Sequence, residues 1–136
     1  MSQSIVHPDP DSLLRFTLNG GEARVLMVRS TAMTQDAALI HQASDTAIAA
    51  LGRVLPVCAM MGGLIKEQAG RLTVSIAGDG VGGRITCGVQ ANKLKISVEH
   101  PQADLPPKED GKLDVAGFVG STGQLAVVKD FDKGEP

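Results

Sequence analysis

Aromatic side chains are almost missing from this chain, which has three Phe, no Tyr and no Trp among 136 residues. Proteins that hold single-stranded nucleic acid stack the bases on aromatic rings, so the composition disfavours this class of binding protein. The interior must instead be built from Ala, Val, Leu, Ile and Met. A chain of this length is expected to form one domain with a sizeable core.

Neither sign of charge is in clear excess, because 13 Lys and Arg are balanced by 15 Asp and Glu, for a net charge of −2. A nucleic-acid-binding surface needs a clustered basic excess. We therefore expect no nucleic-acid partner.

Cysteine is also rare, with Cys58 and Cys87 alone. Two cysteines are too few for a disulfide scaffold, and their spacing is not that of metal ligands. Both lie on faces that are predicted to be buried, where a thiol acts as a small hydrophobic side chain. The sequence thus predicts no metal site in this chain.

The N-terminal stretch lacks the apolar run of a signal peptide. Met1 to Asp11 is polar and contains Pro8 and Pro10. We therefore expect residues 1–11 to form a flexible tail, residues 12–136 to form the folded domain, and the protein to be cytoplasmic.

Catalytic arrangements are missing as well. The sequence has neither a Gly-Lys-Ser/Thr phosphate loop nor a Gly-x-Ser-x-Gly motif, and its three His have no acidic or nucleophilic neighbour at a suggestive spacing. Carboxylates occur together at 9–11 and at 109–110, but in polar segments where an acid–base pair is not expected. The sequence predicts a protein that is not an enzyme, without catalytic or cofactor-binding residues.

What the sequence does contain is one long apolar segment, from Ser44 to Lys66. Apolar residues lie on nearly every side of the helix that this segment predicts. Such a helix is either buried in a core or spans a membrane. A charge in mid-segment, Arg53, and four Gly or Pro residues disfavour the membrane, so we expect a helix buried inside the protein.

A β-hairpin is predicted before this helix. Leu13 to Leu18 alternates between apolar and polar residues, Asn19-Gly20-Gly21 is a strong turn signal, and Glu22 to Arg29 is the return strand. The centre of the return strand, Val25 to Val28, is apolar on both faces. This pattern predicts a central strand packed on both sides. A short helix, Met33 to Gln42, should follow, capped by Ser30 or Thr31.

Three alternating strands are predicted after the long helix, followed by a final strand from Gln124 to Asp130. Leu113 to Val119 fits either a strand or a short helix. Asp132-Lys133-Gly134 resembles the start of a turn whose second strand is not in the chain, which predicts an incomplete domain. The three alternating strands are marked by Leu72, Val74 and Ile76, then Ile85, Cys87 and Val89, then Leu94, Ile96 and Val98.

The stretch from Gly78 to Gly83 has the Gly-x-Gly-x-x-Gly spacing of dinucleotide-binding loops and follows a strand. That motif requires a helix next, whose N-terminal amides hold the pyrophosphate. Here the following residues, 84–90, alternate as a strand instead. We interpret the stretch as a hairpin turn in which the glycines supply unusual backbone angles.

The order of several short motifs is similar to that of the heat-shock protein 33 family, the redox-regulated bacterial holdase chaperones. The resemblance covers about residues 11 to 136, and its specificity comes from the succession of motifs. These are Ala50-Leu51-Gly52-Arg53-Val54-Leu55, Ala59-Met60-Met61-Gly62, Leu72 to Gly83, Asp104-Leu105-Pro106, Gly111 to Val115, and Val119 to Asp130.

The resemblance implies an α+β fold in which a long helix is buried between antiparallel β-sheets, as in the N-terminal domain of the family. It implies an ATP-independent chaperone that binds unfolding client proteins. Family members continue into a linker and a zinc domain whose four cysteines form the redox switch. Cys58 and Cys87 do not match those cysteines, so the zinc is implied for the full-length protein and the chain resembles an N-terminal fragment.

Two other functions compete with the chaperone at this level. An enzyme domain could bind a small molecule or nucleotide with the Gly78–Gly83 loop. A structural module could use an unpaired sheet edge for homodimerisation or strand exchange. The sequence pattern nominates no residues for contact with clients, and no membrane partner is expected.

Overall fold

The computed structural model describes residues 10–65 and 70–131. The chain begins with an antiparallel hairpin of β1 (Ser12–Leu18) and β2 (Ala23–Arg29), joined by a 3-10 turn at Asn19–Gly21. The turn needs left-handed backbone at Gly20 (φ 66°) and Gly21 (φ 104°), which glycine adopts without strain. The predicted hairpin is therefore confirmed.

Two helices follow the hairpin: α1 (Thr31–His41) and α2 (Asp45–Gly63). Ser30 occupies the cap position of α1, but the capping acceptor is the Asp11 carboxylate, which receives the amides of Ala32 (3.0 Å) and Met33 (2.7 Å). The predicted cap position at Ser30 is thus confirmed, but its side chain does not supply the capping hydrogen bond. A carboxylate at a helix N-terminus also meets the positive end of the helix dipole.

A four-stranded antiparallel sheet forms the second half of the fold. Its strands are β3 (Arg71–Gly78), β4 (Arg84–Gln90), β5 (Lys93–Val98) and β6 (Gly123–Asp130), in the order β5-β4-β3-β6. The predicted meander of three strands is confirmed. The ambiguous segment before β6 contains a short helix, α3 (Val115–Val119), whose first turn is capped by Asp114 through the Gly117 amide.

The long helix α2 lies between the hairpin and the four-stranded sheet, and contacts strands of both. Most of its residues are buried or half-buried, while Asp45, Arg53 and Val57 are exposed. Its length and hydropathy would also suit a membrane span. Its contacts with two sheets are those of a core helix, and the predicted α+β fold is confirmed.

The N-terminal end of α2 holds the loop that follows β5. The Ser44 hydroxyl accepts the Ala47 amide (3.1 Å) as a helix cap and donates to the carbonyl of Ala103 (2.7 Å). The fully buried Thr46 donates its hydroxyl to the Asp104 carboxylate (2.7 Å). This bond, and a second one from the Leu105 amide, hold the pKa of Asp104 below its ordinary value.

The prediction that β2 is a central strand packed on both sides is wrong. Within the described residues β2 pairs with β1 alone, in a two-stranded ribbon. Only one face of this ribbon turns toward α2. The apolar pattern of Val25 to Val28 correctly indicated two apolar faces, but periodicity does not tell which element covers each of them.

Parts of three predictions lie outside the described residues. They are the tail at residues 1–9, the end of the apolar segment near residue 66 and the turn at residues 132–134.

Candidate functional site

An open apolar face of the β1–β2 hairpin is the strongest candidate for a binding surface. Cross-strand pairing places Leu14 opposite Met27 and Phe16 opposite Val25, so these side chains share one face with Leu18. All are exposed, from 38% for Val25 to 56% for Met27. We call this set of five side chains, Leu14, Phe16, Leu18, Val25 and Met27, the ribbon surface.

Contacts between α2 and the opposite face of the hairpin determine which hairpin side chains point toward solvent. Leu13 is half-buried against α2, and a β-carbon built on Gly63 would lie 2.6 Å from its Cδ2 atom. Arg15 Nη2 donates to the carbonyl of Gly63 at 2.9 Å. Because a shift of one residue would exchange the two faces, these contacts with α2 determine that the ribbon surface faces outward.

The free energy that a partner would gain by covering the ribbon surface follows from the apolar area that is exposed there. Full burial of one large apolar side chain is worth roughly 1.5–3 kcal/mol. Each of the five is already covered by about half, so a partner that covered the rest would gain roughly 1 kcal/mol per side chain. The total of roughly 5 kcal/mol only matches the lower end of the entropic cost of association, so the ribbon surface alone would give weak and non-specific binding.

A second apolar area lies on β6, at one edge of the described four-stranded sheet. Leu125 and Val127 pair with Ile76 and Val74 of β3, on the side of the sheet that faces α2. They extend beyond the cover of the helix and are 68% and 41% exposed. An edge strand with apolar side chains is a site where another strand can pair.

Backbone amides of the Gly78–Gly83 stretch are hydrogen-bonded to carbonyl groups of the chain itself. The Gly82 amide donates to the Phe118 carbonyl (2.9 Å) and the Gly80 amide to the Val119 carbonyl (3.2 Å). The next element is β4, a strand. The amides that would have to hold a phosphate are thus engaged by α3, and the motif serves close packing.

The carboxylate in this stretch is engaged as well. Asp79 Oδ1 accepts the amides of Ser121 (2.9 Å) and Thr122 (3.2 Å), which fixes the start of β6. A β-carbon on Gly82 would overlap the ring of the fully buried Phe118, at 2.5 Å from Cζ and 2.7 Å from Cδ1. Only glycine allows the two segments to approach this closely.

The two cysteines meet in the core between α2 and β4. Cys58 is 1% exposed and Cys87 is fully buried, which confirms that both are interior residues. Hydrogen bonding with Cys87 lowers the pKa of Cys58, whereas hydrogen bonding with Cys58 and burial raise the pKa of Cys87.

The donor atoms of the described residues do not fit the zinc that the resemblance implies for the full-length protein. Across residues 10–65 and 70–131, no three His, Cys, Asp or Glu side chains are grouped so that they could hold a metal ion. The two thiols lie among apolar side chains, and structural zinc takes four ligands. We therefore derive no role for zinc from these residues.

Comparison with known proteins decides the family. The family model described as "Hsp33 protein" matches residues 11–136. The chain belongs to the Hsp33 family. Because that match covers nearly all of the sequence, the resemblance inferred from short motifs is confirmed.

Named relatives agree with this assignment to the Hsp33 family. A 33 kDa chaperonin of Deinococcus radiodurans is 41% identical over 127 residues, which are 91% of this chain and 43% of that protein. A 33 kDa chaperonin of Clostridium acetobutylicum is 34% identical over 127 residues, which are 93% of this chain and 43% of that protein. The chain thus spans about two-fifths of the length of the curated relatives that it matches.

A solved structure of the Hsp33 family has the same fold. The crystal structure of the 33 kDa chaperonin (heat shock protein 33 homolog) of Thermotoga maritima superposes with a TM-score of 0.79. It is 31% identical and covers 86% of this chain and 40% of that chain.

The residues of the ribbon surface were missed by sequence reasoning, which nominated none for contact with clients. Two signals were present: the alternation of Leu14, Phe16 and Leu18, and the two apolar faces of Val25 to Val28. The second signal was interpreted as burial on both sides. Only the position of α2 separates the covered face from the open one.

Proposed function

We propose that this chain is the client-binding core of a chaperone that holds partly unfolded proteins and prevents their aggregation. The observation that carries the proposal is the ribbon surface. Its five apolar side chains are exposed on a rigid hairpin, and the family relatives are named chaperonins. Exposed apolar patches of this kind mark sites of protein–protein interaction.

The mechanism that we propose is non-enzymatic. Unfolding clients expose apolar segments, and these segments bind the ribbon surface because both surfaces leave water. No covalent chemistry and no nucleotide is required, and the engaged amides of the Gly78–Gly83 stretch agree with this. We propose that the protein acts in the cytoplasm without nucleic-acid or membrane partners.

Regulation by redox state is part of the same proposal for the whole protein. Its basis is the similarity to the heat-shock protein 33 family, in which zinc-binding cysteines outside this domain form the switch. We further propose that the open edge of β6 can pair with a second copy of the chain.

The test is light scattering of a client protein that aggregates on heating, with the 136-residue chain added at stoichiometric amounts. The variant Leu14→Ser/Phe16→Ser removes two of the three β1 side chains of the ribbon surface. Leu39→Ser/Ile40→Ser is the matched control, because these α1 side chains are 78% and 77% exposed and lie outside the ribbon surface.

We expect the unmodified chain and the α1 variant to suppress scattering, and the ribbon variant to lose most of the suppression. Equal suppression by both variants would refute the ribbon surface as the client site. Suppression that requires added ATP would refute the nucleotide-independent mechanism. Suppression equal in reducing and oxidising buffer would locate client binding in this chain and the switch elsewhere in the full-length protein.

A further inference from the structure

The outer face of the four-stranded sheet, which points away from α2, carries a group of basic side chains. Strand pairing places Arg71, Gln90 and Lys93 in one row across β3, β4 and β5 on this face. Lys95 lies in the next row, opposite Gly88. All four of these side chains are exposed, and together with Gly88 they line a concavity of about 420 Å³. We call this concavity the outer pocket.

A glycine keeps the floor of the outer pocket open. Gly88 lies in the middle of β4, between Cys87 and Val89, whose side chains are buried on the α2 side of the sheet. Because successive side chains of a strand point to opposite faces, a side chain at residue 88 would point outward. The nearest atom to a β-carbon built there is the Leu72 carbonyl oxygen, at 3.9 Å. A larger residue would therefore fit the backbone but project into the outer pocket.

The lining of the outer pocket is positively charged. Of the residues that the structure describes, Arg71, Lys93 and Lys95 line it and no carboxylate does. The Arg71 guanidinium donates to the Gln90 side-chain oxygen at 3.3 Å, and this neutral partner positions the charge without neutralising it. Asp130, the carboxylate in the same row, lies on β6, on the other side of Arg71, and the described residues form no ion pair between the two. An anion in the outer pocket would therefore meet three positive charges and no negative one.

The chemistry of these cations favours phosphate oxygens. A guanidinium presents a planar fork of donors that matches two oxygens of one phosphoryl group, and each lysine adds a compact charge. Neighbouring strands are about 4.8 Å apart, so the backbones of Arg71 and Lys93 are separated by roughly 10 Å. Linked phosphoryl groups distribute charged oxygens over such a span. We propose that the outer pocket binds an inorganic anion with two or more linked phosphoryl groups, such as pyrophosphate.

The same lining disfavours an apolar ligand or a nucleotide. Val89 borders the outer pocket, but its side chain packs toward Gly62 of α2, so the described lining offers an apolar ligand no apolar side chain. Strands β3, β4 and β5 contain no aromatic residue on which a base could stack. This inference goes beyond the proposed function and stands whether or not the chain binds clients, because the ribbon surface belongs to the other sheet.

The test is isothermal titration calorimetry of the 136-residue chain with sodium pyrophosphate at constant ionic strength. Sodium sulfate and ADP are titrated in the same buffer. The variant Arg71→Gln/Lys95→Gln removes two of the three cations of the outer pocket. The matched control, Arg53→Gln/Lys108→Gln, removes the same charge from exposed positions on α2 and on the loop after β5.

A further variant, Gly88→Val, leaves every charge in place and fills the floor of the outer pocket. Valine suits the backbone of a strand, and the surroundings of Gly88 leave space for its β-carbon. Thermal unfolding followed by circular dichroism establishes that each variant is folded at the temperature of the titration.

We expect saturable binding of pyrophosphate to the unmodified chain and, with similar affinity, to the charge-matched control. The affinity should fall roughly tenfold in Arg71→Gln/Lys95→Gln, because each lost contact with an exposed charge is worth a factor of about 2–5. It should also fall in Gly88→Val, and for the unmodified chain it should weaken as salt is added. Sulfate and ADP should bind more weakly than pyrophosphate.

Several results would overturn the proposal. They are the absence of saturable binding at millimolar pyrophosphate, an equal loss of affinity in the two double variants, and unchanged binding in Gly88→Val. Sulfate that binds as tightly as pyrophosphate would overturn the assignment to linked phosphoryl groups. ADP that binds more tightly than pyrophosphate would overturn the assignment to an inorganic anion.

Discussion

Adding a single methyl group at Gly80 tests whether the Gly78–Gly83 stretch is a packing device or a nucleotide loop. A β-carbon at this position would meet the Phe118 carbonyl oxygen and would lie 2.5 Å from the Gly120 nitrogen and 2.6 Å from the Phe118 carbonyl carbon. Ordinary van der Waals contact begins at 3.4 Å. All three atoms are backbone, so no side-chain rotation relieves the overlap.

The expected cost of Gly80→Ala follows from this geometry. Overpacking a well-ordered core costs typically about 1–3 kcal/mol, and we expect the upper end because α3 itself must move. For a domain of this size, that corresponds to a melting temperature lower by roughly 10 °C. Gly80 does not have left-handed backbone angles, so the loss would come from the overlap and not from strain at φ.

The matched control is Gly88→Ala, in the middle of β4. The nearest atom to a β-carbon there is the Leu72 carbonyl oxygen at 3.9 Å, an ordinary contact. This substitution should leave stability unchanged or raise it by about 0.4–1 kcal/mol, since alanine restricts the unfolded chain. Both variants are compared with the unmodified chain in urea unfolding, followed by far-ultraviolet circular dichroism because the chain has no Trp or Tyr.

Two results would refute the reasoning. If Gly80→Ala is as stable as Gly88→Ala, the glycines are not needed for packing against α3. If ATP or NAD at millimolar concentration raises the melting temperature of the unmodified chain, and Gly80→Ala abolishes that shift, the stretch is a nucleotide site. We expect neither.

Three further predictions concern the core and the N-terminal end of α2. Phe118→Ala should lower the free energy of unfolding by about 3–5 kcal/mol in urea titrations, because this fully buried ring belongs to the core cluster and packs on Gly82. Ser44→Ala should cost about 1–2 kcal/mol in the same assay, whereas Ser44→Thr should retain most of the cap. Because the pKa of Asp104 is lowered from its ordinary 3.8 by the Thr46 hydroxyl and the Leu105 amide, its contribution to stability is present above that pH and lost as the pH falls through the lower folded value. Asp104→Asn should therefore reduce the difference in melting temperature between about pH 6 and about pH 3, and an unchanged difference would count against this role.

Local patterns in the sequence determined the secondary-structure elements and the assignment to a family. The apolar segment beginning at Ser44 predicts a core helix, because apolar residues lie on nearly every side of that helix. Alternation over residues 84–90 predicted a strand after Gly83, where a dinucleotide-binding loop requires a helix. The order of the motifs from Ala50 onward identified the Hsp33 family. Each of these inferences depends on residues that are close together in the chain.

The tertiary structure alone decided the features from which the function is proposed. Periodicity shows that a strand such as β2 has two apolar faces, but the distant helix α2 decides which face is covered. In the same way, Cys58 and Cys87 reach one core cluster only when α2 packs on β4, and the glycines of 78–83 are required only because the α3 segment packs against them. Whether an apolar side chain is core or binding surface depends on long-range packing, because the hydrophobic effect acts on whichever surface the final fold removes from water.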